Sequence, residues 1–483
     1  FMVLNSEIDK IRKQLDTSNW GKLIKSINIK GLHSLNNLIE FKFPICAIAG
    51  ENGTGKSTIL KLCACAYRGG EKSKTFYPSS FFPETIWEEV RDVYVDYELE
   101  LGQPPTKTYK IKKEAERWRG EITTRAVNEV LYFDLSRSQP TESMIGYAKI
   151  AKRNNTEVGS RDLPTSAIPR ISSIMTRDYS NGRYATTDID SQREVGILNF
   201  NGIGEISQFH QGMGESIITN MLAVIENASN HSLIIIDEIE TALHPTAQRR
   251  LVRQLLYLTR VKNLQVIIST HSPYILSELP ETSRILLTRT NTGIETIYAP
   301  SVNLCLTNLD DELHPDLDII VEDEEAQVIV SEIIRIFGTN IYSRVRIVPA
   351  GAYNIVRDLS KLSLDNKIPY KMIGVIDGDQ ENAPDFLYKL HGTEAPEKEI
   401  IKNVISSQIN SLSNRLGVNE SSLKEEISKV ILIPEHHEWL FRLENRLNIP
   451  RQILWSTFVS IWVKSCMPED KGIELADKIK ELL

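Results

Sequence analysis

The stretch Ile45–Ser57, ICAIAGENGTGKS, joins an apolar run of the buried-strand type to a glycine-rich turn and to a helix predicted over 56–67. Its second half, Gly50–Ser57, fits the phosphate-binding pattern G-x-x-x-x-G-K-[ST] at every fixed position. In such a loop the backbone N–H groups cradle phosphate oxygens, and the start of the helix adds the positive end of its dipole. The stretch therefore predicts an α/β fold with a site for ATP.

The loop supplies the expected contacts to the triphosphate. Lys56 is expected to reach the β and γ phosphates, and Ser57 is expected to contact Mg²⁺. A chance match of a glycine-rich loop is the alternative, but the apolar strand before it and the helix after it favour a nucleotide site. The residues predicted to bind nucleotide in this segment are Gly50, Asn52, Gly53, Thr54, Gly55, Lys56, Ser57 and Thr58.

An acidic pair follows a second buried-strand run. Leu233–Ile236 is apolar throughout and leads into Asp237 and Glu238. We expect Asp237 to hold Mg²⁺ through water, and Glu238 to orient and deprotonate the water that attacks the γ-phosphate. An adjacent acidic pair can simply cap a strand, but its combination with the phosphate loop favours the second half of a nucleotide site.

Two further segments indicate which kind of ATPase this is. Residues 211–216, QGMGES, precede a helix-like run and resemble the ABC signature, whose helix start faces a γ-phosphate. The signature residues predicted to contact nucleotide are Gly212, Gly214 and Glu215. Residues 269–273, STHSP, follow the next strand, and His271 resembles the switch histidine that senses the γ-phosphate. Each segment alone is weak, but the ordered set indicates an ABC-type head.

These segments resemble the ATPase heads of the SMC and RecF group, and most closely the overcoming-lysogenization-defect (OLD) family. In that family Asp-Glu is followed by a segment like Glu240–Pro245, ETALHP, and then by Thr-His-Ser-Pro. The resemblance covers residues about 22–300 and implies Glu238 and His271 as catalytic residues. It also implies a head-to-head homodimer, in which the signature of one subunit completes the ATP site of the other. Gln103 is a candidate for the family's Q-loop glutamine.

The strand–helix pattern restarts after a connection with little periodicity at 299–315. A strand at 317–321 and a helix at about 324–337 open a second α/β region. We therefore expect an ABC-type ATPase domain at 2–312 and a second domain, with C-terminal helices, at 313–483.

The remaining segments have weaker patterns. Alternation predicts an antiparallel hairpin at 92–113. The polar stretch 136–196 is interpreted as loops and helices, and 395–483 as mainly helical with a short strand at 430–433.

Three carboxylates end apolar runs in the second domain. Glu322 ends one run, and Asp377 and Asp379 end another. The layout resembles a Toprim fold, in which a glutamate and an Asp-x-Asp pair converge at the carboxyl ends of parallel strands and bind Mg²⁺. Clustered carboxylates repel each other unless cations lie between them. Two ions, Mg²⁺ or Mn²⁺, would activate water and stabilise the leaving oxygen in phosphodiester cleavage. Glu322, Asp377 and Asp379 are thus predicted as metal ligands and catalytic residues.

The match to OLD-type Toprim domains has departures. The strand-end glutamate of the family is usually followed by a second acid four residues later, whereas here the acid falls three residues later, at Glu325. Glu435 or Glu438 is a candidate for a later family carboxylate. We interpret His436 and His437 as a surface or helix-cap feature. The alternative is a degenerate Toprim scaffold, in which a separate partner does any cutting.

Charge limits how the chain meets nucleic acid. It has 56 Lys and Arg against 64 Asp and Glu, a net charge of −8. Since proteins that hold nucleic acid over their whole surface are usually basic, DNA binding here requires a local patch or bound cations. Residues 107–125 are a candidate DNA-facing hairpin, although such alternation more often marks a solvated sheet face. Scattered cysteines, no long apolar run and no signal-like start predict a cytoplasmic protein.

Together these features predict an ATP-hydrolysing, metal-dependent OLD-type endonuclease that cleaves DNA. The resemblance implies an antiviral-defence effector of the retron or Gabija kind. Its expected partners are DNA, a second copy of the chain, and either a retron reverse transcriptase with its msDNA or a second protein. The alternative is an ABC ATPase sensor or scaffold that regulates a separate nuclease or nucleic-acid partner.

Overall fold

The structure is a computed structural model. It describes residues 2–17, 20–32, 35–71, 73–102, 106–114, 116–120, 125–138, 147–150, 155–291, 293–310, 312–380 and 383–483. The chain divides into two compact units, Phe1–Asp310 and Asp311–Leu483. We call them the amino-terminal unit and the carboxyl-terminal unit and describe each by itself.

Strands and helices are labelled in chain order. The strands are β1 (Leu23–Lys30), β2 (Leu38–Glu40), β3 (Ile45–Gly50), β4 (Val93–Glu100), β5 (Lys107–Lys113), β6 (Arg119–Gly120), β7 (Val130–Phe133), β8 (Glu157–Asp162), β9 (Tyr179–Thr187), β10 (Asp190–Phe200), β11 (Gly204–Ser207), β12 (Leu233–Ile236), β13 (Gln265–Ser269), β14 (Arg284–Thr290), β15 (Gly293–Tyr298), β16 (Leu317–Val321), β17 (Val345–Pro349), β18 (Met372–Ile376) and β19 (Tyr388–Lys389). The helices are α1 (Met2–Thr17), α2 (Lys56–Ala64), α3 (Pro78–Phe81), α4 (Tyr147–Ile150), α5 (Ala167–Met175), α6 (Met213–Asn227), α7 (Pro245–Lys262), α8 (Pro273–Leu276), α9 (Val302–Thr307), α10 (Glu324–Phe337), α11 (Tyr353–Leu364), α12 (Pro396–Leu416), α13 (Glu420–Val430), α14 (Trp439–Leu447), α15 (Arg451–Ser465) and α16 (Glu469–Leu482). Among the helices in the described ranges, none is both long enough and apolar enough to span a membrane.

A six-stranded sheet organises the amino-terminal unit, in the order β15-β14-β3-β13-β12-β7. The strands from β14 to β7 are parallel, and β15 pairs with β14 in the antiparallel sense. Every residue of β3, β12 and β13 is buried, as expected for strands covered on both faces. Because the strands are parallel, the segments that follow β3, β12 and β13 lie at one edge of the sheet.

A second, antiparallel sheet of the amino-terminal unit has the order β2-β1-β4-β5-β6. The hairpin predicted at 92–113 is confirmed by the antiparallel pairing of β4 with β5, with Tyr97 opposite Tyr109. These two rings stack with their centroids 4.8 Å apart. The alternating burial along β4 therefore reports a sheet with one face against the core.

The prediction of loops and helices at 136–196 is wrong for much of that stretch. Strands β8, β9 and β10 fall there and form, with β11, an antiparallel sheet in the order β11-β10-β9-β8. Charge pairs between strands replace the apolar alternation that marks most strands: Arg183 contacts Glu157 and Glu205, and Arg161 contacts Glu194. Because these pairs are exposed and polar, the sequence resembles a loop.

The carboxyl-terminal unit contains a parallel sheet in the order β17-β16-β18-β19. The predicted strand at 317–321 and helix at 324–337 are confirmed as β16 and α10. The strand predicted at 430–433 is wrong, because Val430 is the buried last residue of α13 and Leu432 is 81% exposed in the turn that follows. Four apolar residues are too few to distinguish a strand from a helix end. The connection predicted at 299–315 also contains a short helix, α9.

Candidate active site

The phosphate-loop segment forms a tight turn between β3 and α2. Gly55 has a φ of 94°, and a Cβ atom there would lie 2.7 Å from a methyl carbon of Leu35, so glycine is required. Lys56 is only 6% exposed. Its ammonium group donates hydrogen bonds to the carbonyl oxygens of Gly50 (2.8 Å) and Glu51 (2.9 Å). The cation therefore lies within the curve of the loop, where phosphate oxygens bind in loops of this pattern.

The other predicted residues of this segment occupy the loop and the first turn of α2. The Thr54 hydroxyl is buried and donates to the Glu51 carbonyl at 2.8 Å, which holds the turn closed. Asn52 and Gly53 are exposed at the tip of the loop, and Thr58 is half-buried in α2. Their predicted contacts to nucleotide stay predictions.

Ser57 meets the first acid of the pair after β12. Its hydroxyl donates to Asp237 Oδ1 at 3.1 Å, and the Ser269 hydroxyl donates to the same oxygen at 2.5 Å. A hydroxyl and a carboxylate from separate segments are thus brought together. Hard oxygen ligands of this kind suit Mg²⁺, so the donor set fits the ion predicted here.

Glu238 follows Asp237 in an unusual backbone conformation. Its φ is 47°, in the left-handed region that a residue with a Cβ atom seldom adopts. Its backbone N–H donates to the Ser269 hydroxyl at 2.7 Å, which holds the turn. Strained residues persist when the surrounding structure fixes them, and they concentrate at functional sites.

The acid pair lies within electrostatic range of the loop lysine. Burial lowers the pKa of Lys56 from its usual range, and the nearby carboxylates of Glu238, Asp237 and Glu240 act in the opposite direction. These groups therefore share one buried, charged environment at the edge of the parallel sheet.

His271 is half-buried beside the same groups. Burial and the positive charge of Lys56 lower the pKa of the imidazole, while Glu240, Glu238 and Asp237 oppose that shift. A lowered pKa keeps the ring neutral at pH 7, so it can act as a hydrogen-bond partner without adding a charge.

Glu240 is a residue for which the sequence pattern predicted no role. Its two carboxylate oxygens accept hydrogen bonds from the Thr270 hydroxyl (2.7 Å) and from the backbone N–H of His271 (2.6 Å). It therefore fixes the segment that carries His271. Its role could have been inferred from its place two residues after Glu238, within the ETALHP segment.

The signature segment forms the start of α6, with Gly212 before the first turn. A Cβ atom at Gly214 would lie 2.4 Å from the carbonyl oxygen of Ala242, so the helix start packs directly on the segment after the acid pair. Glu215 is 2% exposed and accepts hydrogen bonds from the Tyr179 hydroxyl (2.7 Å) and from Arg177 (3.2 Å). Its carboxylate is thus engaged inside the fold, and its predicted contact to nucleotide stays a prediction.

A cavity of about 690 Å³ opens beside this helix start. It is lined by Thr176, Arg177, Gly212, Gly214, Ala242 and His244, among others. The Arg177 side chain is 55% exposed at the edge of the cavity, where it pairs with Glu215. The helix N-terminus favours an anion.

In the carboxyl-terminal unit, two of the three residues predicted as metal ligands, Glu322 and Asp377, lie in contact through the backbone of Asp377. Strands β16 and β18 pair in parallel, which brings Glu322 and Asp377 to the same sheet edge. The backbone N–H of Asp377 donates to Glu322 Oε1 at 3.2 Å. Asp379 lies close enough to both to raise their pKa values.

This carboxylate cluster is electrostatically unbalanced. Burial, together with Glu322, Asp323, Asp379 and then Glu397, raises the pKa of Asp377 to about 8. Asp377 Oδ1 is buried and has no hydrogen-bond partner within the described residues. A divalent cation would satisfy that oxygen and offset the repulsion, so the residues present fit such an ion.

Two other acids considered for this cluster are bound by arginines. Glu325 accepts a bond from Arg451 and, through its carbonyl oxygen, from the Trp455 indole at 3.1 Å. Glu438 forms an ion pair with Arg442 at 2.7 Å. Two acids for which the sequence predicted no role also raise the pKa of Asp377: Asp323, next to Glu322, and Glu397, in the first turn of α12.

The candidate DNA-facing hairpin has acidic partners for its cations. Lys110 pairs with Asp96, and Lys112 pairs with Glu114. Lys113 is buried and pairs with Glu84 at 2.6 Å. These contacts favour the alternative of a solvated sheet face, and residues 115 and 121–124 of the segment, like Gln103, lie outside the described residues.

Part of the chain matches a family model, and the fold has similarities to solved structures. The family model described as an AAA domain, putative AbiEii toxin, Type IV TA system, matches residues 103–277, a range that contains Asp237, Glu238 and His271. The SMC head domain from Thermotoga maritima shares 17% identity, with a TM-score of 0.36 over 58% of this chain and 99% of that chain. An Smc head domain with an extended coiled coil, bound to the C-terminal domain of ScpA, from Pyrococcus furiosus shares 12% identity, with a TM-score of 0.37 over 57% of this chain and 96% of that chain. No curated protein matches the chain.

The phosphate loop, its lysine, the acid pair and the matched family model lead to one conclusion. The chain has an α/β fold with a phosphate-loop nucleotide site, and its residues 103–277 match the model of an AAA domain.

Proposed function

We propose that this chain is an ATP-controlled, metal-dependent endonuclease that cleaves DNA at the carboxylate cluster of its carboxyl-terminal unit. The observation that carries the proposal is the buried, unpartnered Asp377 Oδ1 beside Glu322 at the ends of two parallel strands. The ATPase domain supplies the control.

ATP hydrolysis follows from the groups around the phosphate loop. Lys56 neutralises charge on the β and γ phosphates. Glu238 takes a proton from the attacking water while the oxygen of that water bonds to the γ-phosphorus. The β–γ bridging oxygen leaves with ADP. His271, held by Glu240, contacts the γ-phosphate as a neutral donor. Mg²⁺, when bound by Ser57 and Asp237, offsets the phosphate charge.

Two copies are proposed to close head-to-head around ATP. The amino-terminal unit carries both a phosphate loop and a signature helix start, and the cavity at Gly212 and Gly214 has the features of an anion site. The resemblance to OLD-type heads supports an arrangement in which this surface meets the triphosphate held by the other copy.

DNA cleavage is assigned to Glu322, Asp377 and Asp379. Divalent cations at these carboxylates, Mg²⁺ or Mn²⁺, would activate a water and stabilise the leaving oxygen of a phosphodiester. Glu322, Asp377 and Asp379 would hold these ions. Bound cations would also let a chain of net charge −8 approach a phosphate backbone.

The biological setting we propose is antiviral defence of the OLD type. The toxin description of the family that matches residues 103–277 supports this setting. A retron reverse transcriptase with its msDNA, or a second protein, is the proposed partner, and the cytoplasm is the proposed location.

One observation favours a second candidate. Glu325, the acid closest to the family's position four residues after the strand-end glutamate, falls one residue early and is bound by Arg451. If the carboxylate cluster therefore lacks a ligand that cleavage needs, the chain is an ATPase sensor or scaffold that regulates a separate nuclease.

A plasmid assay separates the two candidates. Supercoiled plasmid is incubated with the full chain and Mg²⁺ or Mn²⁺, with and without ATP, and nicking is followed on a gel. The endonuclease proposal expects nicking by the wild type, at least about 100-fold less by Asp377→Ala, and no change in Asp365→Asn. Asp365 is an exposed control in the same unit that pairs with Lys367.

Equal nicking by Asp377→Ala and wild type would show that the activity does not arise at the carboxylate cluster. No nicking under any condition would overturn the endonuclease proposal and leave the scaffold.

A further inference from the structure

We propose that Glu397, His436 and His437 form a cation site for a borderline transition-metal ion of the Zn²⁺ class. This site goes beyond the proposed function, because its existence requires neither ATP hydrolysis nor DNA cleavage. We call it the histidine site.

The donor atoms are already gathered. One ligand atom from each of Glu397, His436 and His437 can be chosen so that all lie within 4.8 Å of one another. His437 Nδ1 lies 3.4 Å from Glu397 Oε1. In a tetrahedral zinc site with metal–ligand bonds of about 2.0–2.1 Å, two ligand atoms lie about 3.3 Å apart. The observed pair therefore has the spacing that one shared ion requires.

The two elements that carry these donors are well anchored. Glu397 is in the first turn of α12, a helix that begins at Pro396. His436 and His437 open a short 3-10 turn that leads into α14, and the buried Trp439 donates from its indole N–H to the Ile433 carbonyl at 2.9 Å. Donors on anchored elements hold their geometry before a ligand binds.

Burial of the carboxylate argues for a cation. Glu397 is 6% exposed, and a buried carboxylate needs a hydrogen bond or a positive partner. It also lies near enough to Asp377 to add to the repulsion within the carboxylate cluster.

A simple ion pair with a protonated histidine is the competing explanation. The rings of His436 and His437 have their centroids 3.9 Å apart, so both imidazoles stand beside the one carboxylate, whereas an ion pair needs only one of them. Two neutral imidazoles with a carboxylate instead provide the nitrogen and oxygen donors that zinc prefers, whereas Mg²⁺ prefers oxygen alone. The His437 side chain is 69% exposed, which leaves a path for an ion to enter.

The site is tested by metal titration of the full chain. Protein stripped with EDTA and dialysed is titrated with Zn²⁺ by calorimetry in millimolar Mg²⁺, and with Co²⁺ by visible absorption. We expect one Zn²⁺ to bind per chain and to be lost in a His436→Ala/His437→Ala variant. Glu397→Gln is expected to weaken binding at least about tenfold. Glu438→Gln, on the same turn but paired with Arg442, is the matched control and should bind like the wild type.

Two further variants keep the test decisive. In Asp377→Asn, Zn²⁺ binding should persist, which distinguishes the histidine site from the carboxylate cluster and makes its failure independent of the nicking assay. If the double variant does not fold, His437→Ala alone is used, because that side chain is exposed. Unchanged stoichiometry and affinity without the histidines, or displacement of Zn²⁺ by millimolar Mg²⁺, would overturn the proposal and leave only an ion pair.

Discussion

Glu240 Oε1 lies 2.6 Å from the backbone nitrogen of His271, and this bond ties the segment after β12 to the segment after β13. The other oxygen of the same carboxylate accepts from the Thr270 hydroxyl at 2.7 Å. Since Glu238 precedes Glu240 by two residues, the proposed base and the proposed phosphate sensor share one support. Glu240 is therefore a positioning residue, and its loss should disturb catalysis more than binding.

Replacement of Glu240 tests that relationship. In Glu240→Gln only one side-chain oxygen remains as an acceptor, so the amide cannot satisfy both donors as the carboxylate does. We expect kcat for ATP to fall roughly tenfold to a hundredfold while KM changes little, because small misplacements of reacting groups are costly. Steady-state phosphate release measures both constants. Glu295→Gln, an exposed change on β15, is the control; an equal rise in KM with kcat intact would contradict the positioning role.

Replacement of Glu238 tests the assignment of the base. In Glu238→Gln the side chain keeps its size but cannot take a proton from water. We expect hydrolysis to fall by about 10² to 10⁴, while ATP stays bound and the dimer becomes more stable. Light scattering after gel filtration, with and without ATP, measures the dimer. Wild-type turnover in this variant would show that another group is the base.

Local pattern predicted the parts of the fold whose signals are contiguous. The phosphate loop, the strands before Asp237 and Asp377, and helix α10 each combine an apolar run with a boundary residue. Strand β9 could not be predicted from local pattern, because Arg183 pairs with acids of two other strands that lie more than twenty residues away in the sequence. The assignment of functional domains to 2–312 and 313–483 stays a prediction.

In the candidate sites too, residues that end an apolar run could be predicted, whereas residues brought in from distant segments could not. Strand-end carboxylates such as Glu322 and Asp377 are visible in the sequence because parallel strands place their ends together. Glu397 was missed because it approaches Asp377 from a helix, and no spacing rule relates the two. His436 and His437 were interpreted as a surface feature because the buried carboxylate facing them is about forty residues earlier in the chain.

The packing of the signature helix gives a prediction on stability. A Cβ atom at Gly214 would lie 2.4 Å from the Ala242 carbonyl oxygen, whereas one at Gly212 would have no atom within 4 Å. Gly214→Ala should therefore lower the free energy of unfolding by about 1–3 kcal/mol, since the helix start must move. Thermal unfolding measures the difference, with Gly212→Ala as the stability control. Equal melting temperatures for the two variants would show that the segment yields without cost.

The raised pKa of Asp377 makes a prediction about pH. Because the folded-state pKa, about 8, lies above the ordinary value of 3.8, the folded protein binds this proton more tightly than the unfolded chain does. The associated stability is therefore fully present below about pH 4 and is lost as the pH rises toward about 8. In EDTA, Asp377→Asn, which mimics the protonated acid, should gain on the wild type across this range by roughly 2–4 kcal/mol. Denaturant unfolding at several pH values measures the gain, and Asp365→Asn should show none. Parallel pH profiles for the wild type and Asp377→Asn in EDTA would mean that Asp377 is not held in the protonated form by its surroundings.

Added Mn²⁺ tests the same carboxylate in its metal-bound form. It should stabilise the wild type at pH 8 and should not stabilise Asp377→Asn.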